Sequence, residues 1–429
     1  MIIDKNEIFN NKDNVFSNGG INLFDFIPKS LTLSFYDVSE NIYGFTFNTH
    51  AKPIEAVIKI KKDSEKQWNE YTMRTVRERS YDESGEIEYY ISKTEIKLEE
   101  NSTYTYYAYD KGAEVGTART ILRTKSPHDN RFLFAHLSDS QGGPNEFGQV
   151  LAQIVDVLNF IIYTGDVVET SKYEKEWKEM LDTNYKSIGR IPIMAISGNH
   201  ETTYKSGLKE TFKHFNHMIP TQNSIEYGYF YSFVYGDVKF IMLNTNDLSI
   251  DKLKAEQYKW LIRELEENDC KWTIVSVHNP LYSPGKYGSN SSRNKIALAL
   301  QEQLQSVFVQ YGVDLVLQGH DHVISRTYPI DSLGNATSEV IQVIDGLEYT
   351  INPAGVIYLE NGPAGNQMRE IERSYDSTLY KYAQGTTQAS WAEIEVDNDL
   401  LVVTVKGYDG SKENIYHQWG IMKGGFDIE

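Results

Sequence analysis

The sequence predicts two parts, an N-terminal all-β sandwich and an α/β domain of two packed mixed sheets flanked by helices. From Leu31 to Thr124, short runs rich in Tyr, Phe, Val, Ile and Thr alternate with polar turns, and no helical period is visible. Strands at this spacing indicate a two-sheet sandwich. From Arg131 onward, apolar runs alternate with helical stripes, and after Gly319 the pattern returns to strands. This order is typical of packed sheets with helices outside them.

The pair Ser126-Pro127 interrupts the strand pattern and marks the boundary between the two parts. We therefore assign residues 29–125 to the sandwich and residues 130–429 to the α/β domain. Residues 1–28 carry many turn formers and are expected to form an N-terminal arm.

Within the sandwich, Leu98 followed by Tyr104 predicts a tyrosine corner, in which the phenol bonds back to the backbone at a sheet crossover. The stretch resembles a fibronectin type III-like module. The tryptophan usual on the second strand of that module is missing, and Phe45 or Phe47 would fill its space. Because no ligand site is visible in this part, we interpret it as a docking or interface-forming module.

Amphipathic stripes and continuous apolar runs define the elements of the second part. The first stripe recurs with the period of an amphipathic helix and consists of Phe147, Val150, Leu151, Ile154 and Leu158. Further helices are predicted at Tyr173 to Leu181 and from Tyr258 and Leu300 onward. Continuous apolar runs predict strands that are buried on both faces; they are Phe132 to Leu137, Phe160 to Tyr163, Ile191 to Ile196, Trp272 to Val277 and Val313 to Leu317.

The composition excludes several classes of protein. The chain has 429 residues, of which 40% are hydrophobic and 24% charged, so a packed globular fold is expected. The net charge of −18 argues against a nucleic-acid or anionic-membrane partner, because such binding depends on basic patches. No apolar run approaches the roughly 20 residues of a membrane span. The single cysteine, Cys270, excludes an intrachain disulfide.

The N-terminus, from Met1 to Gly20, is polar and rich in Asn and Asp, with no basic region followed by an apolar core. This pattern does not predict a signal peptide. We therefore expect a cytoplasmic protein, or a secreted one if a signal has been removed.

Side chains that can bind metals follow five of the predicted strands. They are Asp139, Asp166 after Gly165, Asn199 and His200 after Gly198, His278, and the pair His320 and His322 after Gly319. Loops over a rigid sheet gather functional groups, and two histidines that are two residues apart can converge on one site. All five clusters supply oxygen or imidazole ligands and none supplies sulfur. This set predicts a site for one or two hard-to-borderline metal ions.

The order of these clusters resembles the calcineurin-like metallophosphoesterases, in a form similar to the purple acid phosphatases. The resemblance covers about Arg131 to Met368 and, weakly, the β module before it. Supporting stretches are Gly198-Asn199-His200-Glu201, Leu315 to His322, and Arg326-Thr327-Tyr328-Pro329.

The resemblance implies a role for each clustered residue. Asp139 and His322 would hold one metal ion, while Asn199, His278 and His320 would hold a second and Asp166 would bridge both. A hydroxide shared by the two metals would attack phosphorus in line. His200 would contact the substrate phosphate beside Asn199, or protonate the departing alkoxide.

Two positions depart from the purple acid phosphatase pattern. Gln141 stands where the family usually has Gly or His, and Glu169 stands where the purple enzymes carry a tyrosinate. Either residue could complete the first metal through an oxygen. We therefore expect iron, manganese or zinc, without a purple colour. The family's further substrate-binding histidine also has no match, and Lys286, Tyr287 and Arg293 occupy that region as candidate substrate contacts.

These observations favour a phosphomonoesterase, similar to acid phosphatases, that acts on a small phosphate ester. One alternative keeps the site and changes the substrate to a phosphodiester or nucleotide, motivated by the missing histidine. An alternative of another class is a non-catalytic metal- or glycan-binding module. The intact set of six ligands argues against it, because a metal domain that has lost its catalytic function has no need to keep all six.

Six histidines outside the clusters are interpreted as structural. We expect His136 to pack within the first strand of the second part or to support a ligand, and we expect packing or surface roles for His50, His128, His214, His217 and His417. His214 and His217 fall in a predicted helix from Leu208 to Met218. Glu201 is expected to bond the backbone or a neighbouring ligand.

Overall fold

A computed structural model describes residues 30–82, 85–202, 213–216, 230–246, 248–249, 252–289 and 292–424. The predicted arm at residues 1–28 lies outside these residues. So does most of the predicted helix at 208–218, including His217.

The first part is a sandwich of two antiparallel sheets. Its strands are β1 Ser30–Asp37, β2 Ile42–Thr49, β3 Ala56–Lys62, β4 Asn69–Thr72, β5 Arg74–Asp82, β6 Gly85–Lys97, β7 Thr103–Asp110, β8 Val115–Gly116 and β9 Thr120–Arg123. One sheet has the order β1-β2-β6-β5, and the other has the order β4-β3-β7-β8 with β9 paired to β7.

The predicted tyrosine corner is confirmed, because the Tyr104 hydroxyl accepts the backbone N–H of Glu99 at 3.0 Å. Phe45 and Phe47 are both fully buried in the sandwich core. The aromatic filling expected in place of the missing tryptophan is therefore present.

The second part contains two large mixed sheets. Its strands are β10 Arg131–Leu137, β11 Phe160–Tyr163, β12 Ile193–Ala195, β13 Tyr231–Tyr235, β14 Val238–Met242, β15 Leu248–Ser249, β16 Lys252–Leu253, β17 Trp272–Ser276, β18 Leu315–Gln318, β19 Val323–Thr327, β20 Ile341–Ile344, β21 Leu347–Ile351, β22 Ile357–Glu360, β23 Tyr380–Gly385, β24 Ala389–Asp397, β25 Leu400–Tyr408 and β26 Glu413–Met422. Its helices are α1 Pro144–Ile154, α2 Glu174–Thr183, α3 Ala255–Glu266, α4 Lys286–Ser289 and α5 Lys295–Gln310, and Ser377–Leu379 form a 3₁₀ turn.

One of these sheets has the order β12-β11-β10-β24-β25-β26-β21-β20, and the other has the order β13-β14-β17-β18-β22-β19-β23. The strands β10, β11 and β12 run parallel to one another, as do β14, β17, β18 and β22. The predicted fold class is confirmed. The carboxyl ends of parallel strands share an edge, and that edge is where ligand sites form in such sheets.

Two predicted elements are shorter than the apolar pattern indicated. Helix α1 ends at Ile154, and the backbone N–H groups of Val157 and Leu158 both bond back to the Ile154 carbonyl in a turn. Leu158 remains buried, so its place in the stripe reflects packing rather than helix. Strand β12 begins at Ile193 because Pro192 before it has no N–H to donate to the sheet.

The two parts share one apolar core. Phe35 of the sandwich packs against Phe160 and Tyr235 of the second part, with ring centroids 5.9 Å apart in each pair. Tyr106 donates its hydroxyl to the carbonyl of Gly189 across the same junction. Among the described residues, no helix is long and apolar enough to cross a membrane.

Candidate metal centre

Five loops at the carboxyl ends of strands carry the predicted ligands. Asp139 follows β10, Asp166 follows β11, Asn199 follows β12 and His278 follows β17, while His320 and His322 lie between β18 and β19. The structure brings these side chains together in two adjoining groups. One is centred on His278 and the other on Asp139 and His322.

The group around His278 contains three facing acceptor atoms. The ring Nδ1–H of His278 donates to the carbonyl of Thr164 at 2.8 Å, which leaves the lone pair of Nε2 directed into the site. That Nε2 lies 3.0 Å from Asn199 Oδ1 and 3.2 Å from Asp166 Oδ2. Ligand atoms of Asp166, His278 and His320 all lie within 4.8 Å of one another.

The group around Asp139 has the same character. His322 donates Nδ1–H to the Gln367 carbonyl at 2.6 Å, so its Nε2 faces Asp139 Oδ1 at 3.4 Å. Asp139 Oδ1 is buried and has no hydrogen-bond donor in the described part of the chain. Its other oxygen, Oδ2, accepts the backbone N–H of His320 at 2.9 Å. The carboxylate is therefore held by the chain on one side and directed at His322 on the other.

Electrostatics explain why these two groups fit cations. Burial alone raises the pKa of Asp139, but His322 and His278 together hold it well below its ordinary value. Burial lowers the pKa of His278, and the Asp166 carboxylate outweighs that effect and raises it to about 9. The chain thus keeps its carboxylates ionised and places positive charge beside them. A divalent metal ion supplies the same charge to the facing lone pairs, so the residues fit metal ions.

The backbone at the ligands is unusual. Asp139, Asp166, His320 and His322 have φ values of +59°, +58°, +80° and +56°. Few residues other than glycine adopt this left-handed region, and such backbone strain clusters at functional sites. Four of the six predicted ligands therefore share this uncommon backbone conformation.

Glycine is required at Gly198 by close packing. A Cβ added there would lie 2.0 Å from Asp166 Oδ1 and 2.4 Å from its backbone nitrogen. The loop that carries Asn199 can therefore approach the Asp166 carboxylate only because Gly198 lacks a side chain.

Glu201 ties two ligand loops together. Its carboxylate accepts the backbone N–H groups of Asp166 at 2.7 Å, Val167 at 2.8 Å and Gly198 at 2.7 Å. The predicted backbone bonding of Glu201 is confirmed. Burial, followed by the negative charge of Asp166, raises the pKa of Glu201 to about 7.

His200 lies beside the centre and is partly accessible, with 23% of its side chain exposed. Its Nδ1–H donates to the Glu169 carbonyl at 2.6 Å, and its Nε2 lies 3.8 Å from Asp166 Oδ2. Burial lowers the pKa of His200, but the nearby Asp166 carboxylate and the Glu169 carbonyl raise it overall. The ring can therefore present a protonated Nε2 to a group bound at the centre.

Gln141 and Glu169 occupy different places. Gln141 is buried, with Nε2 3.3 Å from His322 Nε2, and its Oε1 has no hydrogen-bond partner in the described part of the chain. The half-exposed Glu169 accepts from Gln367 Nε2 at 2.8 Å and lies 3.7 Å from His200 Nδ1. These contacts place Gln141 with the Asp139 group and Glu169 with His200.

The candidate substrate contacts meet at Tyr287. Its ring centroid lies 4.3 Å from that of His320, while Lys286 and Arg293 lie 5.7 and 6.0 Å from the Tyr287 ring. Asp321 fixes this turn, because its carboxylate accepts the backbone N–H groups of Tyr287 at 2.9 Å and Gly288 at 3.0 Å. Sequence reasoning missed Asp321, and its position between the two histidines was the only available signal.

Several other histidines are structural in their contacts. His136 is buried, with Nε2 2.9 Å from Thr164 Oγ1, and burial lowers its pKa to about 3. His214 is also buried and lies 3.1 Å from Glu174 Oε2. His417 stacks on Tyr382 with ring centroids 4.5 Å apart.

Comparison with known proteins shows which family the second part of the chain resembles. Residues 132–324 match the family model described as calcineurin-like phosphoesterase. This part of the chain is a calcineurin-like phosphoesterase domain, as the order of the strand-end clusters predicted.

The relatives include plant purple acid phosphatases. Purple acid phosphatase 15 of Arabidopsis thaliana is 28% identical over 194 residues, which are 44% of this chain and 32% of that protein. Phosphoenolpyruvate phosphatase of Allium cepa is 26% identical over 297 residues, which are 66% of this chain and 58% of that protein. The chain thus spans less than two thirds of the length of these curated relatives.

The fold extends over both parts of the chain. A purple acid phosphatase from yellow lupin seeds superposes with a TM-score of 0.70 at 16% identity, covering 92% of this chain and 74% of that one. This similarity shows that the β-sandwich and the phosphoesterase domain together form a purple acid phosphatase-like fold.

Proposed function

We propose that this chain hydrolyses small phosphate esters, monoesters foremost, with two metal ions held between its five strand-end loops. The observation that carries the proposal is the convergence of His278 Nε2, Asn199 Oδ1 and Asp166 Oδ2 at 3.0 to 3.2 Å. All three atoms present lone pairs to one another when His278 is neutral, and a cation satisfies them together. The phosphatase relatives support the same reaction.

The residues that would hold the two ions follow from the two groups. Asp139 and His322, with Gln141, would bind one ion, and Asn199, His278 and His320 would bind the other. Asp166, whose oxygens face His278 and the His200 backbone, would bridge them. When bound, the ions would activate water for attack on phosphorus and neutralise charge on the phosphoryl group.

The chain's own contribution to bond cleavage comes from His200. As the ester P–O bond breaks, the departing alkoxide takes a proton from His200 Nε2 and leaves as an alcohol. The ring is held for this task because its other nitrogen donates to the Glu169 carbonyl at 2.6 Å. General acid catalysis of this kind contributes about 10²- to 10⁴-fold.

Glu169 also bears on the identity of the ions. It stands in place of the tyrosinate and contacts His200 and Gln367. We propose iron, manganese or zinc in this centre, without the visible tyrosinate-to-iron band. An absorption spectrum of the iron-loaded protein checks this directly, and a strong visible band would contradict it.

The decisive experiment combines metals with a matched pair of variants. The purified chain should cleave an aryl phosphate, lose activity to a chelator, and regain it with manganese, iron or zinc. Asp166→Asn should abolish turnover. Asp110→Asn is the control, since Asp110 is equally buried but bonds the backbone of Ile54 and Glu55 in the sandwich. Wild-type rates in Asp166→Asn would overturn the proposal.

A second candidate substrate class is the phosphodiesters. Tyr287, with Lys286 and Arg293 near its ring, offers an aromatic and cationic surface beside His320 that suits a second ester group. A monoester and a bis-ester of the same phenol, assayed together, decide between the two. Higher kcat/KM for the bis-ester would reverse the preference stated above.

A further inference from the structure

The loop between β11 and α2 connects the metal centre to the sandwich. It carries Asp166 near its start and Glu169 in its middle, and it ends at Glu174, the first residue of α2. Two of its backbone groups bond His200. The Glu169 carbonyl accepts from the ring at 2.6 Å, and the Ser171 N–H donates to the His200 carbonyl at 3.4 Å. The position of His200 therefore depends on this loop.

The far end of the same loop is held by Ser80, on strand β5 of the sandwich. The Ser80 hydroxyl donates to the Lys172 carbonyl at 2.6 Å and accepts the Glu174 N–H at 2.7 Å. The backbone N–H of Tyr81 adds a bond to the same Lys172 carbonyl at 3.3 Å. One buried hydroxyl thus closes the loop onto the start of α2 from outside the phosphoesterase domain.

Neighbouring side chains add hydrogen bonds and a ring contact to this junction. Asn48 of the sandwich donates to Glu174 Oε1 at 3.0 Å, and the other carboxylate oxygen faces His214 at 3.1 Å. His214 stacks on Trp177 with centroids 3.9 Å apart, and Trp177 donates its indole N–H to the Ser171 carbonyl at 3.1 Å. Polar groups buried in this way are strongly fixed, because leaving any of them unpaired is costly.

We propose that Ser80 of the β-sandwich is a positioning residue for His200, acting through the loop at residues 169–174. The sandwich then contributes to catalysis by holding the proton donor in place, beyond any docking role. Ser80 itself touches no reacting atom. This inference rests on the proposed function, because it assigns the sandwich a part in protonating the leaving group.

The readout follows from what His200 does. An alkyl phosphate has a poor leaving group that needs its proton as the P–O bond breaks, whereas 4-nitrophenolate leaves without one. Displacing His200 should therefore slow the alkyl ester more than the aryl ester. A general loss of fold or of metal would lower both rates alike.

The test compares Ser80→Ala with wild type on a simple alkyl phosphate and on 4-nitrophenyl phosphate, in the metal-loaded full chain. We expect kcat for the alkyl ester to fall about tenfold and kcat for the aryl ester by less than about twofold, with KM nearly unchanged. Ser92→Ala is the matched control. Ser92 is also buried, lies in the same sheet and bonds Thr75 instead of the loop, so the ratio of rates should stay at the wild-type value.

Two further variants keep the outcome interpretable. Ser80→Thr retains the hydroxyl and should restore the wild-type ratio, while Asn48→Ala, which loosens the start of α2, should shift it in the same direction as Ser80→Ala. If Ser80→Ala does not fold, as judged by thermal unfolding, Asn48→Ala carries the test. A folded variant with an unchanged ratio overturns the positioning role. An inactive wild type instead refutes the proposed function.

Discussion

The group around His278 and the group around Asp139 and His322 form two halves of the candidate metal centre. The chain brings the ligand atoms of the two halves together to different degrees. Around His278, ligand atoms from Asp166 and Asn199 lie within 3.2 Å of the ring nitrogen. Around Asp139 and His322 the facing atoms are 3.4 Å apart, and buried Asp139 Oδ1 lacks a donor among the described residues.

The two halves also differ in how well they match the family pattern. The His278 half keeps every residue that the resemblance requires, whereas the Asp139 half contains Gln141 at a position that departs from the family pattern. We therefore expect the His278 half to bind its ion more tightly. Variants in each half test this asymmetry.

Removing His278 should have the largest effect. The His278→Ala variant removes the ring nitrogen that Asp166 and Asn199 face. We expect kcat/KM for an aryl phosphate to fall by at least about 10³-fold. His417→Ala is the control, because His417 stacks on Tyr382 and has no place in the site. A His278→Ala variant within tenfold of wild type would show that the Asp139 half carries the reaction.

The pH dependence of stability should differ between metal-free and metal-loaded protein. The pKa of His278 is raised to about 9, above the ordinary value of 6.5. The folded state then binds the proton more tightly than the unfolded state. This stabilisation is complete below pH 6.5 and is lost as the pH rises toward 9, by on the order of 3 kcal/mol.

Urea unfolding of the chelated protein between pH 6 and 9 measures this loss. His278→Gln should flatten the profile, and metal-loaded protein should lack it because the ligand is already deprotonated. A chelated wild type whose stability is constant over this range would contradict the assignment of His278.

Gln141 should set the metal affinity of the Asp139 half. Its buried Oε1 lacks a hydrogen-bond partner among the described residues, and its side chain touches His322. We expect Gln141→Ala to weaken binding of one of the two ions by about 10- to 100-fold, and Gln141→Glu to strengthen it by adding charge. Metal titration by calorimetry should show one weakened and one unchanged site. Equal weakening at both would remove the asymmetry.

Asp321 should give the smallest effect. Asp321→Asn removes one acceptor for the backbone N–H groups of Tyr287 and Gly288. We expect KM for the ester to rise about threefold with little change in kcat, since a single hydrogen bond contributes about 1 kcal/mol. Asp331→Asn, in an exposed turn, is the control. A loss in kcat alone would place Asp321 in the chemistry rather than in substrate binding.

The sequence was sufficient for the fold and for the convergence of the ligands. Alternation in one part and helical stripes in the other predict the two architectures, and residues directly after parallel strands must meet at one edge. The helix predicted to reach Leu158 ends at Ile154. Leu158 lies beyond the helix but is buried, so it extends the apolar pattern even though the helical hydrogen bonds have stopped.

Other features depend on packing between distant segments. Ser80 meets Lys172 across 92 residues, and Gln367 orients His322 through its carbonyl across 45. Neither residue type carries a local signal, since serine and glutamine are common on any surface. The left-handed φ of Asp139 and Asp166 could likewise not be predicted from the sequence, because residues other than glycine rarely adopt it.

In the proposed centre, six side chains from five loops hold a pair of metal ions. Elemental analysis of the purified chain, after dialysis against metal-free buffer, tests it most directly. We expect about two equivalents of iron, manganese or zinc per chain, falling to about one in His322→Ala. A folded wild type that binds no metal, even after incubation with each of these ions, would contradict it.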